Sequence, residues 1–150
     1  MSYTQLLYHI IFRPKNSAPV IDMNNEEQLY RYIWGFVKQK RCILYRIGGM
    51  PDHIHMLIQL PPTYPISDFM RDLKTSTNFY IRNNISLFPR YNGWAKAYCA
   101  LTYSYTDRIK IINYIKGQKE HHKRVGFRDE LLDLLTEYGI NVDMKYFLND

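Results

Sequence analysis

His53 and His55 stand two positions apart in the run HIHMLIQL, residues 53–60. On a strand alternate side chains share a face, so both imidazoles point the same way while Ile54 points into the opposite layer. Two imidazoles side by side make a clip for a divalent metal ion, although a bare His-x-His pair also reads as two ordinary strand histidines. Tyr114 and Gln118, in INYIKGQKEHH, supply a second pair. Four residues of helix turn through roughly 400 degrees and stack two side chains on one face. A carboxamide oxygen is a hard, neutral ligand, so His53, His55 and Gln118 would leave an ion's charge uncancelled and coordination positions open. A substrate phosphate completes such a shell and is oriented for attack by the Tyr114 oxygen.

A tyrosine nucleophile, unlike water, stores a cleaved phosphodiester as a phosphotyrosine ester, so the strand can be passed to another end without ATP. The phenol, with an ordinary pKa of about 10, is protonated at neutral pH. The ion, or a cation such as Lys110 or Lys119, must therefore ease the proton's departure. Taken alone, Tyr114 reads as an amphipathic core residue. His121 and His122 lie near the helical face of Gln118 and either extend the metal site, contact phosphate, or form a solvated basic helix end. His9 reads as a packed polar residue, and Arg71, Lys74, Arg82 and Lys96 are candidate DNA contacts on charge grounds.

These pairs need a strand and a helix held in fixed relation. YTQLLYHIIFR (3–13) is rich in β-branched and aromatic residues and is stopped by Pro14, which predicts a first, central strand. NNEEQLYRYIWGFVKQ (24–39) opens with an Asn cap and spaces Leu29, Ile33, Phe36 and Val37 as a helix does. RCILYRI (41–47), a turn through Gly48-Gly49-Met50-Pro51-Asp52, and 53–60 read as a hairpin. A second helix over 66–83 starts with Ser67 as N-cap and carries Phe69, Met70, Leu73, Phe79 and Tyr80, with Arg71 and Lys74 outward. WAKAYCALTYS (94–104) alternates like a strand. Thr106 or Asp107 then caps a third helix through residue 124, with Ile109, Ile112 and Ile115 as its buried stripe, and a short fourth helix closes near Gly139.

The order β-α-β-β-α-β plus C-terminal helices predicts an α+β, ferredoxin-like antiparallel sheet, a layout that RNA-recognition modules share. With 150 residues and 46% hydrophobic content the chain suits one compact domain over 1–150, with 123–150 as a C-terminal helical extension. Cys42 and Cys99 stand apart, suggesting neither disulfides nor a zinc knuckle. The N-terminal apolar run is too short to span a bilayer and lacks signal-peptide features, so the expectation is a cytoplasmic protein without membrane contact. A net charge of +6 with 14 Tyr favours a nucleic-acid partner, cations holding phosphates and aromatic faces stacking bases.

Four segments in order, GGMPDHIHMLIQLPP, SDFMRDLKTSTNFYIR, GWAKAYCALTYS and INYIKGQKEHH, resemble the motifs of the HUH-superfamily single-tyrosine transposases of small bacterial insertion sequences, to which REP-associated tyrosine transposases are related. The resemblance places the HUH motif on His53-Ile54-His55, the nucleophile on Tyr114 and the third metal ligand on Gln118. It implies a homodimer that binds imperfect hairpins at element ends, cleaves adjacent single-stranded DNA with Mg2+ or Mn2+, and holds a 5'-phosphotyrosine intermediate. In well-known members the tyrosine helix of one subunit serves the HUH pair of the other. Gly117 within the helix departs from a good helix former by up to about 1 kcal/mol, and the resemblance runs over roughly residues 3–122 without extending into the tail. Two other readings fit composition and layout: a non-catalytic RRM-like nucleic-acid-binding module, and metal-dependent hydrolysis without strand transfer.

Overall fold

The computed structural model describes residues 2–150. The elements are β1 (Leu6–Phe12), α1 (Glu26–Gln39), β2 (Ile43–Met50), β3 (His53–Leu60), α2 (Ile66–Asn83), β4 (Cys99–Tyr103), α3 (Arg108–Lys116), α4 (Gln118–His121) and α5 (Phe127–Glu137). The four strands form one antiparallel sheet in the order β2-β3-β1-β4. This is the ferredoxin-like arrangement, with helices added at the C-terminal end. Among the described residues no helix is long and apolar enough to cross a membrane.

The two central strands are covered on both faces, which is why β1 and β3 read as nearly continuous apolar runs. Ile10, Phe12, Ile54, Met56 and Ile58 face α1 and α2, where Leu29, Ile33, Phe69 and Leu73 complete the main core. The opposite face carries Leu7 and Leu57 against Ile111 and Ile115 of α3, and Ile11 against Phe127 and Leu131 of α5. His9, His53 and His55 occupy the gap between these two small clusters, fully buried. Polar groups thus sit on a face that is apolar on either side.

Several elements differ from expectation for identifiable reasons. β2 runs on to Met50, so Gly48 and Gly49 lie within the strand and the turn is only Pro51-Asp52. A Cβ at Gly49 would fall 2.2 Å from the His53 carbonyl oxygen, and one at Gly48 3.2 Å from Ile115. These glycines let the β2 backbone press against His53 and let α3 dock closely. The last strand covers only Cys99–Tyr103 of the expected 94–104. Lys74 Nζ donates to the carbonyls of Ala95 and Lys96 at 2.8 and 2.7 Å, and Trp94 Nε1 donates to Thr77 Oγ1, tying 94–96 to α2. Pairing with the chain after β1 is limited to an isolated bridge of Trp94 to Pro14 and the Ala95 N–H donating to the Arg13 carbonyl.

Among the described residues no capping side chain bonds the first turn of α1, α2 or α3; Asn25 donates instead to the Leu87 carbonyl, and α2 begins behind Pro65, not Ser67. On α2, Phe79 is exposed, and Thr77 and Ile81 take the buried positions. The expected third helix breaks at Gly117 (φ −84°, ψ 7°) into α3 and α4. Its buried stripe is Ile111, Ile115 and Gln118, while Ile109 is exposed. That stripe carries Gln118 inward with the apolar side chains.

Candidate metal and tyrosine site

The β3 pleat and the α3–α4 stripe bring the four expected side chains together. His53 Nε2 lies 2.9 Å from Gln118 Oε1. The His53 and His55 rings are 5.0 Å apart, and the Tyr114 ring is 5.7 Å from that of His55. Tyr114 therefore stands beside the histidine pair of its own chain. The second nitrogen of each imidazole is also engaged. His53 Nδ1 is 2.7 Å from Asp52 Oδ1, and His55 Nδ1 is 2.8 Å from His9 Nε2. Such partners fix ring orientation and leave both Nε2 atoms aimed at a common point.

Two further residues enter. Glu130 of α5, almost wholly buried, has Oε1 3.1 Å from His55 Nε2, 3.3 Å from His53 Nε2 and 3.1 Å from His122 Nε2. Its other oxygen accepts from Gln118 Nε2 at 2.8 Å and from the Tyr114 hydroxyl. His122 Nε2 also lies 2.9 Å from Gln118 Oε1. One ligand atom from each of His53, His55, His122 and Glu130 falls within 4.8 Å of all the others. His121 Nε2 is 3.3 Å from Glu130 Oε2 but is not aligned to hydrogen-bond and has no other partner among the described residues.

Residues 2–118 match the family model described as "Transposase IS200 like". The chain belongs to that family. It is 28% identical to the ISDra2 transposase of Deinococcus radiodurans, the match covering 77% of this chain and 86% of that one. It is equally 28% identical to the transposase of insertion sequence element IS200 from Salmonella typhimurium, covering 77% and 78%. A crystal structure of a Deinococcus radiodurans transposase superposes with a TM-score of 0.60 at 29% identity, over 78% of this chain and 93% of that one. A REP-associated tyrosine transposase bound to a REP hairpin shares the fold, with a TM-score of 0.62 at 15% identity over 83% and 73%.

The donor chemistry of this transposase suits a divalent cation. Three imidazole nitrogens and two side-chain oxygens converge, and in such a cluster several nitrogens and oxygens face one another with no Lys or Arg among the described residues to balance the carboxylate. Burial opposes a charge on Glu130, yet its three histidine partners hold it well below the usual carboxylate range. Burial alone would lower His53, but Asp52 and Glu130 outweigh it and push it up to about 9. His55 is lowered to about 4, mainly by burial. Burial, then the adjacent Glu130, raises the Tyr114 phenol, so this arrangement keeps the hydroxyl protonated.

Neither lysine expected to assist Tyr114 meets it. Lys119 Nζ donates to Glu26 and to the Gly49 carbonyl, and Lys110 is exposed. His121 and His55 flank the phenol instead, each with its ring centroid 5.7 Å from that of Tyr114. His122 is drawn into the cluster rather than standing at a solvated helix end. His9 is packed, as expected, but it also orients His55. Glu130 escaped the sequence reading, although one signal was present: in FRDELLDLL it sits with Phe127, Leu131 and Leu134 at helical spacing, a carboxylate on the buried stripe.

Proposed function

We propose that this transposase cleaves and rejoins single-stranded DNA beside hairpins, with Tyr114 as nucleophile and His53, His55 and Gln118 holding Mg2+ or Mn2+. The observation that carries this reading is the convergence of the Tyr114 hydroxyl, two strand imidazoles and a helix carboxamide within one chain. When bound, a divalent ion there supplies a Lewis acid for a phosphoryl oxygen. The chain's own residues do the rest. Asp52 and His9 hold the two imidazoles with Nε2 forward. The α3 stripe anchors Tyr114 beside them.

In the step proposed, the Tyr114 oxygen bonds to phosphorus, the P–O3' bond breaks, and the 3'-hydroxyl leaves carrying a proton. The 5'-phosphotyrosine then passes its phosphorus to a 3'-hydroxyl from another end, restoring Tyr114. One tyrosine per chain calls for two chains when two ends are cut, hence a homodimer in the cytoplasm, each Tyr114 serving its own histidine pair. Hairpin binding is supported by the fold neighbour bound to a REP hairpin and by charge placement. Lys15, Arg71, Lys74, Arg82 and Lys96 line one groove of about 570 Å3 between α2 and the 93–98 segment. Lys74 is occupied with backbone carbonyls, while Arg82 and Lys96 are exposed.

The test is incubation with Mn2+ and labelled hairpin-bearing single strands. A covalent adduct is expected from the native protein and none from Tyr114→Phe. An equally abundant adduct from Tyr114→Phe removes the nucleophile assignment, and binding without processing returns the chain to a nucleic-acid-binding module.

A further inference from the structure

Glu130 occupies an unusual position for a residue of a phosphoryl-transfer site. One carboxylate oxygen lies against the imidazole nitrogens of His53, His55 and His122, and the other accepts from the Tyr114 hydroxyl. A scissile phosphodiester must make the same bridge, one oxygen toward the metal ligands and its phosphorus toward the nucleophile. Glu130 has the charge and span of that group. Among the described residues no Lys or Arg pairs with it, so its negative charge is matched only by the site that a phosphate would use.

The surroundings leave no room for both. His53 and His55 are 0% exposed, Gln118 1% and Glu130 2%. Phe127 stacks on His53 with ring centroids 4.3 Å apart, closing the histidine pair from the α5 side. A nucleotide reaches these atoms only if α5 leaves. We propose that α5 is an autoinhibitory lid, its Glu130 carboxylate seated where the scissile phosphate binds, and that single-stranded DNA enters by displacing it. This inference rests on the reading of Tyr114 and the histidine pair given above.

The mounting of α5 fits displacement. The family match ends at residue 118, so His53, His55, Tyr114 and Gln118 all belong to the matched part and α5 lies outside it. The helix is joined through Gly126, where a Cβ would meet nothing, and ends before Gly139 at φ +69°. Its apolar contact with the sheet is a small cluster in which only Ile11, Phe127 and Leu131 are buried. Beside it a half-open groove of about 400 Å3 runs between Ile11 and Cys99 of the sheet, Leu131 and Leu135 of α5, and Phe147 of the C-terminal segment. An ion pair of Arg13 with Asp150 at 2.5 Å ties down the following segment. Elements with few buried contacts occupy the low-stability end of a fold.

The test compares the full-length protein with Glu130→Ala and Glu130→Gln at subsaturating single-stranded DNA and fixed Mn2+. A lid coupling in the ordinary range raises the rate of covalent adduct formation about 5- to 150-fold in Glu130→Ala, with Glu130→Gln intermediate. A rate that falls or stays level in both variants, with circular dichroism showing them folded, overturns the lid; a parallel loss of Mn2+ affinity would then make Glu130 a permanent ligand. Hydrogen exchange of the unaltered protein reads the same question without a substitution. Saturating DNA should speed exchange at the amides of 127–137 while slowing it at 53–60, and protection of 127–137 by DNA contradicts displacement. If neither native nor variant protein forms an adduct, the nucleophile reading fails, and the exchange data decide the lid by themselves.

Discussion

His9 offers a perturbation in which folding and ion binding should respond differently. For His55 to present its Nε2 lone pair to an ion, its proton must sit on Nδ1, 2.8 Å from His9 Nε2. His9 then accepts there and carries its own proton on Nδ1, which is buried and has no partner among the described residues. Such an orphaned donor costs about 1–3 kcal/mol. In the ion-free protein the neutral His55 instead carries its proton on Nε2, facing the Glu130 carboxylate, and its Nδ1 accepts from His9 Nε2–H. Replacing His9 by Leu there removes the unpartnered His9 Nδ1 but leaves His55 Nδ1 unpaired in its place, so the two changes nearly cancel in folding. Melting of the ion-free variant should stay within about 4 °C of the native protein, the shift that roughly 1 kcal/mol produces at this size. Ion binding has no such compensation. Loss of an outer partner typically lowers metal affinity about 10- to 100-fold, roughly 1.4–2.7 kcal/mol. Mn2+ titration followed by electron paramagnetic resonance of the free ion measures it, and His9→Gln, whose carbonyl oxygen can accept from His55, should recover part of the loss. Unchanged Mn2+ affinity in His9→Leu would show that His55 is oriented by packing alone.

The buried histidines also set a pH profile for the ion-free protein. His9 and His55 are lowered to about 3 and about 4, chiefly by burial, so the unfolded chain binds more protons below its ordinary histidine pKa of about 6.5. Their contribution is complete above pH 6.5 and is lost as pH falls, whereas that of His53, raised to about 9, is complete below 6.5 and is lost as pH climbs through 9. Denaturant unfolding in EDTA should therefore show a maximum near pH 6.5 and a slope approaching two protons between pH 6 and 4.5; a flat acid limb would contradict it. In the basic groove, Arg82→Gln combined with Lys96→Gln should weaken hairpin binding across sequences. The pair should also reduce the salt slope by about 1.4–1.8, since each phosphate left without its cation removes about 0.7–0.9. An unaltered slope would move the DNA elsewhere.

The histidine pair and the Tyr114–Gln118 pair were legible because each lies within one element, where a two-residue or four-residue spacing alone decides which side chains share a face. The sheet was legible for the same reason, since β1 and β3 are continuous apolar runs bounded by prolines. What escaped depended on contacts between elements. Lys74 reaching the Ala95 and Lys96 carbonyls shortened the last strand, and close approach at Gly48 and Gly49 kept those glycines in β2 rather than in its turn. His122 and Glu130 reached the site because the helix breaks at Gly117 and α5 folds back over the sheet. The expected neutral ligand set of His53, His55 and Gln118 therefore meets a carboxylate from α5, which lies beyond the residues matched to the family. A neutral set suits an anionic substrate, since the ion's charge is left for the phosphate. A resident carboxylate works against that purpose, which is the physical reason to expect Glu130 to leave when DNA arrives.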